Sequence, residues 1–537
     1  MRRVQQAASF SAKIKHFFTF ERIFLFICIF AFVFRFALLD LKLFHHDEAI
    51  HAWFSFDLLT KGAWEYDPSY HGPFLYYVTA GMFSLFGPSD FVGRLLPALF
   101  GFALIPLVYA IYRIGYLTKT QTLFAALFLA ISPDMVFFSR FLRHDIFMLF
   151  FTMLLVVALL YYFERGKTRF VIIGAVAIAG ALCCKEEMPV ILIIFATFFG
   201  YGAWKKKWIL PPHWKKDLVV CVVIVLCLMG ILYSAFGAHI ETLQYGWLDA
   251  IRHWTDMHNQ QRLGGPWFYY VPLYLLYELP IFLLAMVATL QFIVSGIAPA
   301  HVFLRVKNWL VTRRYELPVG ELAQVSLRQI QSARAGISKS DEFFRFCIYW
   351  MILSMAFYAY VGEKVPWLLI HQLLPMCFVA VYKLNWQKCA FAVIGCAFLL
   401  VMTWHVAFVP ADINEPIIQV QNSEDMRDVM TLMDNSDRVV VASKHYWPLP
   451  WYFRGERWKK ITFYGDVTDE KTLTQNTPGV IMLHDAASYT AIAGYNKTTY
   501  KLSYWFSFYE NEDRLLDYYI HRDGKMGSIN LEIFTPA

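Results

Sequence analysis

Apolar runs about as long as a bilayer is thick recur along most of this chain, and they leave few folds open to it. A hydrocarbon core takes about 20 helical residues at about 1.5 Å each. Runs of that kind lie near 23–41, 91–112, 120–139, 144–163, 170–184, 187–203, 218–236, 268–296, 344–361, 366–382 and 389–409. They predict an all-α polytopic bundle of about 11 transmembrane helices. Composition agrees, because 58% of the 537 residues are apolar and only 17% charged, against about 25% charged in soluble proteins. A single soluble core stops growing near about 250–300 residues. Disordered, collagen-like and disulfide-scaffold chains are excluded by the same numbers.

The net charge of +7 would hint at nucleic acid in a soluble protein. Here the cations fall between the apolar runs and read as topology signals, with no nucleic-acid partner. A basic arm (Arg2, Arg3, Lys13, Lys15, Arg22) precedes the first run, and no small-residue cleavage site follows it. The run therefore reads as an uncleaved span. With the N-terminus cytoplasmic, the Lys- and Arg-rich connections (113–119, 165–169, 205–216, 305–339, 383–388) all fall inside. An odd number of spans then places residues 410–537 outside, giving a multi-pass protein of the plasma membrane.

That tail changes character. Short β-rich runs at 438–443, 461–464 and 480–484 alternate with helix-like stretches such as 424–433, which predicts a small extracytoplasmic α/β domain. The domain division is thus 1–409 for the membrane part, with a first outer loop at 42–90, and 410–537 for the tail. All nine cysteines lie within or beside apolar runs, so disulfides cannot staple the tail. Asn496-Lys497-Thr498 is a glycosylation sequon there.

Polar residues gather at the predicted outer ends of the spans. The first loop carries His45, His46, Asp47, Glu48, His51 and His71 among many aromatics, a mixture suited to amphipathic helices at the interface. Other outer turns add Arg140, Arg143 and Asp145, then Lys185, Glu186 and Glu187, then Arg262, then Lys364 and His371. Asp145 and Glu187 abut spans, where an unpaired charge is expensive and often functional. His46-Asp-Glu-Ala-Ile-His51 imitates a zinc-protease helix, but its histidines are five apart rather than four. Asp47 and His51 share a face, so the pattern admits a divalent cation. Arg35 and Arg94 sit near span ends, where they can snorkel or pair with first-loop acids. Trp367, Trp447 and Trp451 suit an aromatic belt or a domain contact. Glu278, beside Pro280, either lines a cavity or caps a kinked helix.

Several of these motifs together resemble a known family. Arg35, Asp47-Glu48-Ala49, His71-Gly-Pro-Phe-Leu-Tyr-Tyr77 and Phe86-Gly-Pro-Ser-Asp-Phe-Val-Gly-Arg94-Leu-Leu-Pro97 resemble the start of GT-C superfamily glycosyltransferases. The branch is the one with protein O-mannosyltransferases and the lipid A aminoarabinose transferase. Ser139-Arg140, His144-Asp145 and Cys184-Lys185-Glu186-Glu187 continue the likeness. Gly362-Glu-Lys364-Val-Pro-Trp367, His371, Pro375 and Tyr446-Trp-Pro-Leu-Pro-Trp451 are most similar to archaeal flippase-activity-associated proteins of the N-glycosylation (Agl) pathway.

The resemblance implies transfer of a sugar from a polyprenyl (dolichyl-type) phosphate to a glycan, lipid or protein acceptor at the outer face. The residue pattern suits that chemistry, which needs a base for the acceptor hydroxyl and cations for the departing phosphate. No nucleotide-binding fingerprint occurs. Carried over by motif, Asp47 is the general base and Asp145 the second acid. His71 stands where the aminoarabinose branch has a phosphate-contacting lysine. Arg143, Lys185 and Arg262 are candidate phosphate cations, with Lys364 and Tyr76 beside them as substrate-binding residues. Glu48 ranks second among the acids, since adjacent helix positions face different ways. The alternative function is a flippase, or a flippase accessory, without bond chemistry.

Overall fold

The computed structural model describes residues 19–62, 64–205, 208–260, 265–297, 339–410, 412–484 and 489–537. Arg262, the N-terminal basic arm before Arg22, and the cations between 305 and 334 lie outside the described residues. In chain order the helices are α1 (Phe20–Phe36), α2 (His46–Lys61), α3 (Phe74–Phe86), α4 (Asp90–Arg113), α5 (Lys119–Ile131), α6 (Pro133–Ser139), α7 (His144–Arg165) and α8 (Thr168–Leu182). They continue with α9 (Met188–Trp204), α10 (Trp214–Tyr233), α11 (Thr242–Gln260), α12 (Tyr270–Tyr277), α13 (Leu279–Ile297), α14 (Lys339–Tyr360), α15 (Leu369–Ala380) and α16 (Trp386–Phe408).

Every predicted apolar run contains helix, but the runs are unequal. Among the described residues five helices are long and apolar enough to cross a membrane, or up to seven if each of two bent pairs is one span. The α5–α6 pair bends by 56° and the α12–α13 pair by 115°. The first bend follows from Ser132-Pro133. Proline offers no N–H to continue α5, and the Ser132 hydroxyl accepts from Met135 N at 3.2 Å to start α6. Glu278 sits at the second bend and serves the first. Its Oε1 accepts from the Ser132 hydroxyl at 2.5 Å and from Asp134 N at 3.1 Å. Glu278 therefore caps a helix, one of the two roles its position suggested.

Broken helices expose carbonyls, and in lipid each unsatisfied one costs several kcal/mol. Buried arginines take them up. Arg35 donates to Leu129 O (2.7 Å) and Ala130 O (3.1 Å) at the end of α5. Arg140 donates to the carbonyls of Phe34, Arg35, Ala37 and Leu38 at the end of α1. Arg94 holds those of Leu39, Lys42 and Leu43. Arg35 thus neither snorkels nor pairs with a first-loop acid.

The tail forms a six-stranded sheet in the order β1-β5-β6-β4-β2-β3. Its strands are β1 (Gln421–Asn422), β2 (Val439–Ala442), β3 (Ile461–Phe463), β4 (Val480–His484), β5 (Tyr495–Phe506) and β6 (Met526–Pro536). β2 runs parallel to β3 and β4, and the other pairs are antiparallel. The sheet domain meets the bundle at the end bearing α2. The buried Trp451 indole donates to Asp90 Oδ1 at 2.7 Å, and Asn422 Nδ2 donates to Phe44 O at 2.7 Å. Glu415 accepts from the Tyr277 hydroxyl at 2.7 Å.

Candidate active site

A cavity of about 490 Å³ opens where α2, α11, the turns before α7 and α9, and the segment before β1 converge. Its polar lining includes His46, Asp47, His51, His71, Arg143, Lys185 and Glu187. Three turns that are distant in sequence therefore place their charges on one space.

Asp47 owes its position to the start of α2. The His45 ring accepts from Asp47 N at 3.0 Å, and Glu48 Oε2 accepts from His45 N at 3.0 Å, so residues 45–48 form a capping box. This locks the first turn and turns the Asp47 carboxylate, 29% exposed, toward Arg143. Arg143 is bound on three sides. Its Nη1 pairs with Asp47, its Nε meets Asp145 Oδ2 at 3.2 Å, and its Cζ lies 3.6 Å from the centre of the Trp367 ring. Trp367 is therefore a floor for Arg143 rather than part of an interfacial belt. Lys185 Nζ bridges Asp145 Oδ1 (2.9 Å) and Glu187 Oε1 (3.2 Å). Asp145 and Lys185 side chains are each only 2% exposed.

The electrostatics follow from these pairs. Burial alone would raise the Asp47 carboxyl, but Arg143 and, behind it, His45, His46 and His51 together outweigh burial and hold Asp47 well below the usual carboxylate range. Burial would lower Lys185, yet Asp145 and Glu187 raise it above the usual lysine value, so it stays charged. His51 is pushed down to about 3 by burial and then by Arg143. Its ring nitrogen Nδ1 lies 3.0 Å from the Tyr76 hydroxyl, whose own proton goes to Tyr70 O at 2.7 Å. Nδ1 is therefore the donor to Tyr76, and Nε2 keeps a lone pair.

The candidates separate clearly. Asp47, Arg143, Lys185 and His71 line the cavity, and Asp145 lies directly behind Arg143 and Lys185. Glu48 does not face it. Fully buried, it is spent on Arg94 (2.6 and 2.8 Å), Leu142 N (2.8 Å) and His45 N, which is a scaffold role. Lys364 caps the end of α14 by donating to the carbonyls of Tyr358 and Ala359, both at 2.9 Å, and Val361. Tyr76 is buried and acts only through His51. The sequence reading missed His253, Trp254 and Met257 of α11 and Gln419 and Val420 of the tail, all of which line the cavity. The amphipathic period of 242–260 was the available signal for the first group. Among the described residues no three His, Cys, Asp or Glu side chains gather closely enough to hold a metal ion.

The family described as dolichyl-phosphate-mannose-protein mannosyltransferase matches this chain over residues 70–232. No curated protein matches the sequence. The fold is similar to that of ArnT from Cupriavidus metallidurans in a crystal structure with bound undecaprenyl phosphate. That likeness has a TM-score of 0.54 at 15% identity and covers 86% of this chain and 93% of that one. A looser likeness, with a TM-score of 0.49 at 12% identity, relates it to the oligosaccharyltransferase of Archaeoglobus fulgidus in the apo form, over 81% of this chain and 63% of that one.

Proposed function

We propose that this protein is a membrane glycosyltransferase of the GT-C type that moves a sugar from a polyprenyl phosphate to an acceptor hydroxyl on the outer face. One observation carries the reading. At the end of a lipid-embedded bundle, a cavity brings a partly exposed carboxylate, Asp47, against two charged groups suited to phosphate, Arg143 and Lys185. The undecaprenyl phosphate bound to ArnT and the matched mannosyltransferase family support a polyprenyl-phosphate donor.

The proposed step is a direct displacement. The acceptor oxygen forms a bond to the anomeric carbon as its proton passes to Asp47. The bond from that carbon to the phosphate oxygen breaks, and the pair of electrons leaves with the polyprenyl phosphate, held by Arg143 and Lys185. The sugar inverts. Paired with Arg143, Asp47 is a weak base, so the donor phosphate must first draw Arg143 to itself. The test is transfer from a polyprenyl-phosphate sugar by purified wild type and Asp47→Asn. The expected result is transfer with inversion by wild type and none by the variant. Transfer by Asp47→Asn at the wild-type rate removes Asp47 as base, and a retained configuration removes the displacement.

A second reading has its own observation. Two bent helix pairs meet at Glu278 and Ser132, and discontinuous spans around a buried carboxyl are a habit of transporters. A flippase for lipid-linked sugars fits this. Translocation by reconstituted protein with no glycosyl product would decide for it.

A further inference from the structure

His71 stands in a backbone conformation that side chains avoid. Its φ is 66° and its ψ −168°, a region open to glycine and strained for any residue with a Cβ. The strain is enforced from both sides. Gly72 N donates to Cys184 O at 3.1 Å and Phe74 N to Cys183 O at 3.0 Å. A Cβ on Gly72 would stand 2.2 Å from Cys183 O, so the strand of chain cannot relax outward. Strain held this firmly aims the imidazole at the cavity.

The ring is also fixed in its orientation. Nδ1 lies 2.9 Å from Glu186 Oε2, and Glu186 Oε1 accepts from the Tyr66 hydroxyl at 3.0 Å. Burial would raise Glu186, but His71 and Tyr66 hold it below its ordinary value, so it is a carboxylate and Nδ1–H donates to it. Nε2 is the nitrogen left for the cavity, within which it can hydrogen-bond a hydroxyl. Beside it the Trp254 ring lies parallel at 5.8 Å (11°), and its buried indole N–H has no partner among the described residues.

We infer that His71 Nε2 hydrogen-bonds a hydroxyl of the transferred sugar while the Trp254 indole donates to a neighbouring sugar oxygen, making this pair the subsite that reads the sugar. The inference rests on the glycosyltransferase reading above. It parts His71 from the phosphate-binding role that its motif position suggested.

The test is donor binding by wild type, His71→Gly and His71→Ala. The probes are a polyprenyl phosphate, bare or carrying mannose, glucose, galactose or N-acetylglucosamine. Wild type is expected to bind one sugar-bearing carrier about tenfold or more tighter than the bare one, as befits about one hydrogen bond to a satisfied site. Both variants lose that advantage and keep the bare-carrier affinity. One monodeoxy form of the preferred sugar costs wild type the same factor and costs His71→Gly nothing. His71→Gly, relieved of strain, melts above His71→Ala, since both lose the Glu186 partner and only the glycine suits the backbone. Weaker bare-carrier binding by His71→Gly would make His71 a phosphate ligand and overturn the inference. So would a sugar preference that survives in both variants, or a His71→Gly protein that melts below His71→Ala. A wild type that binds no carrier defeats the glycosyltransferase reading itself; one that binds the bare and all sugar-bearing carriers alike defeats only the sugar subsite.

Discussion

Asp47 and Glu48 are neighbours of the same charge, and their neutral isosteres should fail in opposite ways. Glu48→Gln keeps the shape but replaces an accepting oxygen with an amide NH2. In the folded protein all the groups around that side chain are donors: Arg94 Nε and Nη2 at 2.8 and 2.6 Å, Leu142 N at 2.8 Å and His45 N at 3.0 Å. The amide would face N–H against N–H, and Arg94 would be left as an uncompensated charge that is 4% exposed. Breaking a buried pair from one side costs about 3–5 kcal/mol. Asp47→Asn differs, because the carboxylate is 29% exposed and Arg143 keeps Asp145 as a partner. The expected loss is about 1 kcal/mol or less, as for partly solvated pairs. Unfolding of the detergent-purified proteins, read alongside sugar transfer, checks both. Glu48→Gln should unfold much more readily and, while folded, retain transfer; Asp47→Asn should keep its stability and lose transfer. A Glu48→Gln protein as stable as wild type would refute the reasoning, and so would an Asp47→Asn protein as unstable as Glu48→Gln.

Arg143→Lys should lower kcat/KM about 10²-fold or more, since an ammonium cannot hold two carboxylates and a phosphate in one plane; near-normal kinetics would show that Arg143 does not meet the donor. His45 and His51 are pushed down to about 4 and about 3 by burial first, while the unfolded chain takes up those protons near about 6.5. The folded state binds fewer protons, so stability should fall as pH drops from about 6.5 toward 4, by at most about 1.4 kcal/mol per unit for each ring; His51→Asn should flatten that slope in denaturation curves, and an unchanged slope would contradict the buried neutral assignment. Trp451→Ala removes a fully buried ring packed between Phe44 (5.5 Å) and Phe83 (5.4 Å). About 3–5 kcal/mol should be lost, seen as faster proteolysis between the sheet domain and the bundle; unchanged digestion would mean that other contacts hold the domain.

The membrane class was legible because a hydropathic run of fixed length has few other readings. The number of full spans was not, because Ser132-Pro133 and Glu278 divide runs that look continuous in the sequence. The tail strands at 439–442, 461–463 and 480–484 could be read from their β-branched cores. β5 and β6 were missed: Tyr495–Phe506 and Met526–Pro536 carry polar residues on the less buried half of each strand, and nothing local marks their pairing. Asp47 could be proposed from its motif, Asp145 from its motif and from the cost of charge beside an apolar span, and Arg143 and Lys185 as cations gathered at the same ends of the spans. Glu48 could not be told from Asp47 by type. Only the fold shows that one carboxylate meets Arg94 and the other Arg143. Gln419 and Val420 reach the cavity through tertiary packing alone, which no short-range pattern encodes.

The pairing of Asp47 with Arg143 bears on the order of events in the proposed reaction. A free carboxylate at the mouth of a glycosyl-transfer site would deprotonate water as readily as an acceptor and would spend the donor on hydrolysis. Held by Arg143, Asp47 has little affinity for a proton. The guanidinium has two ways to satisfy its charge, because Asp145 holds its Nε on the far side while its Nη1 meets Asp47. A phosphodiester arriving within reach of Nη1 offers one charge shared over two oxygens, as Asp47 does, and Lys185, already fixed nearby on Asp145 and Glu187, adds a second cation to hold it. Exchange of Nη1 from Asp47 to phosphate therefore needs only a swing about an anchored Nε, over the flat face of Trp367. The same exchange neutralises the largest of the charges that lower Asp47, so its basicity rises once the donor is seated.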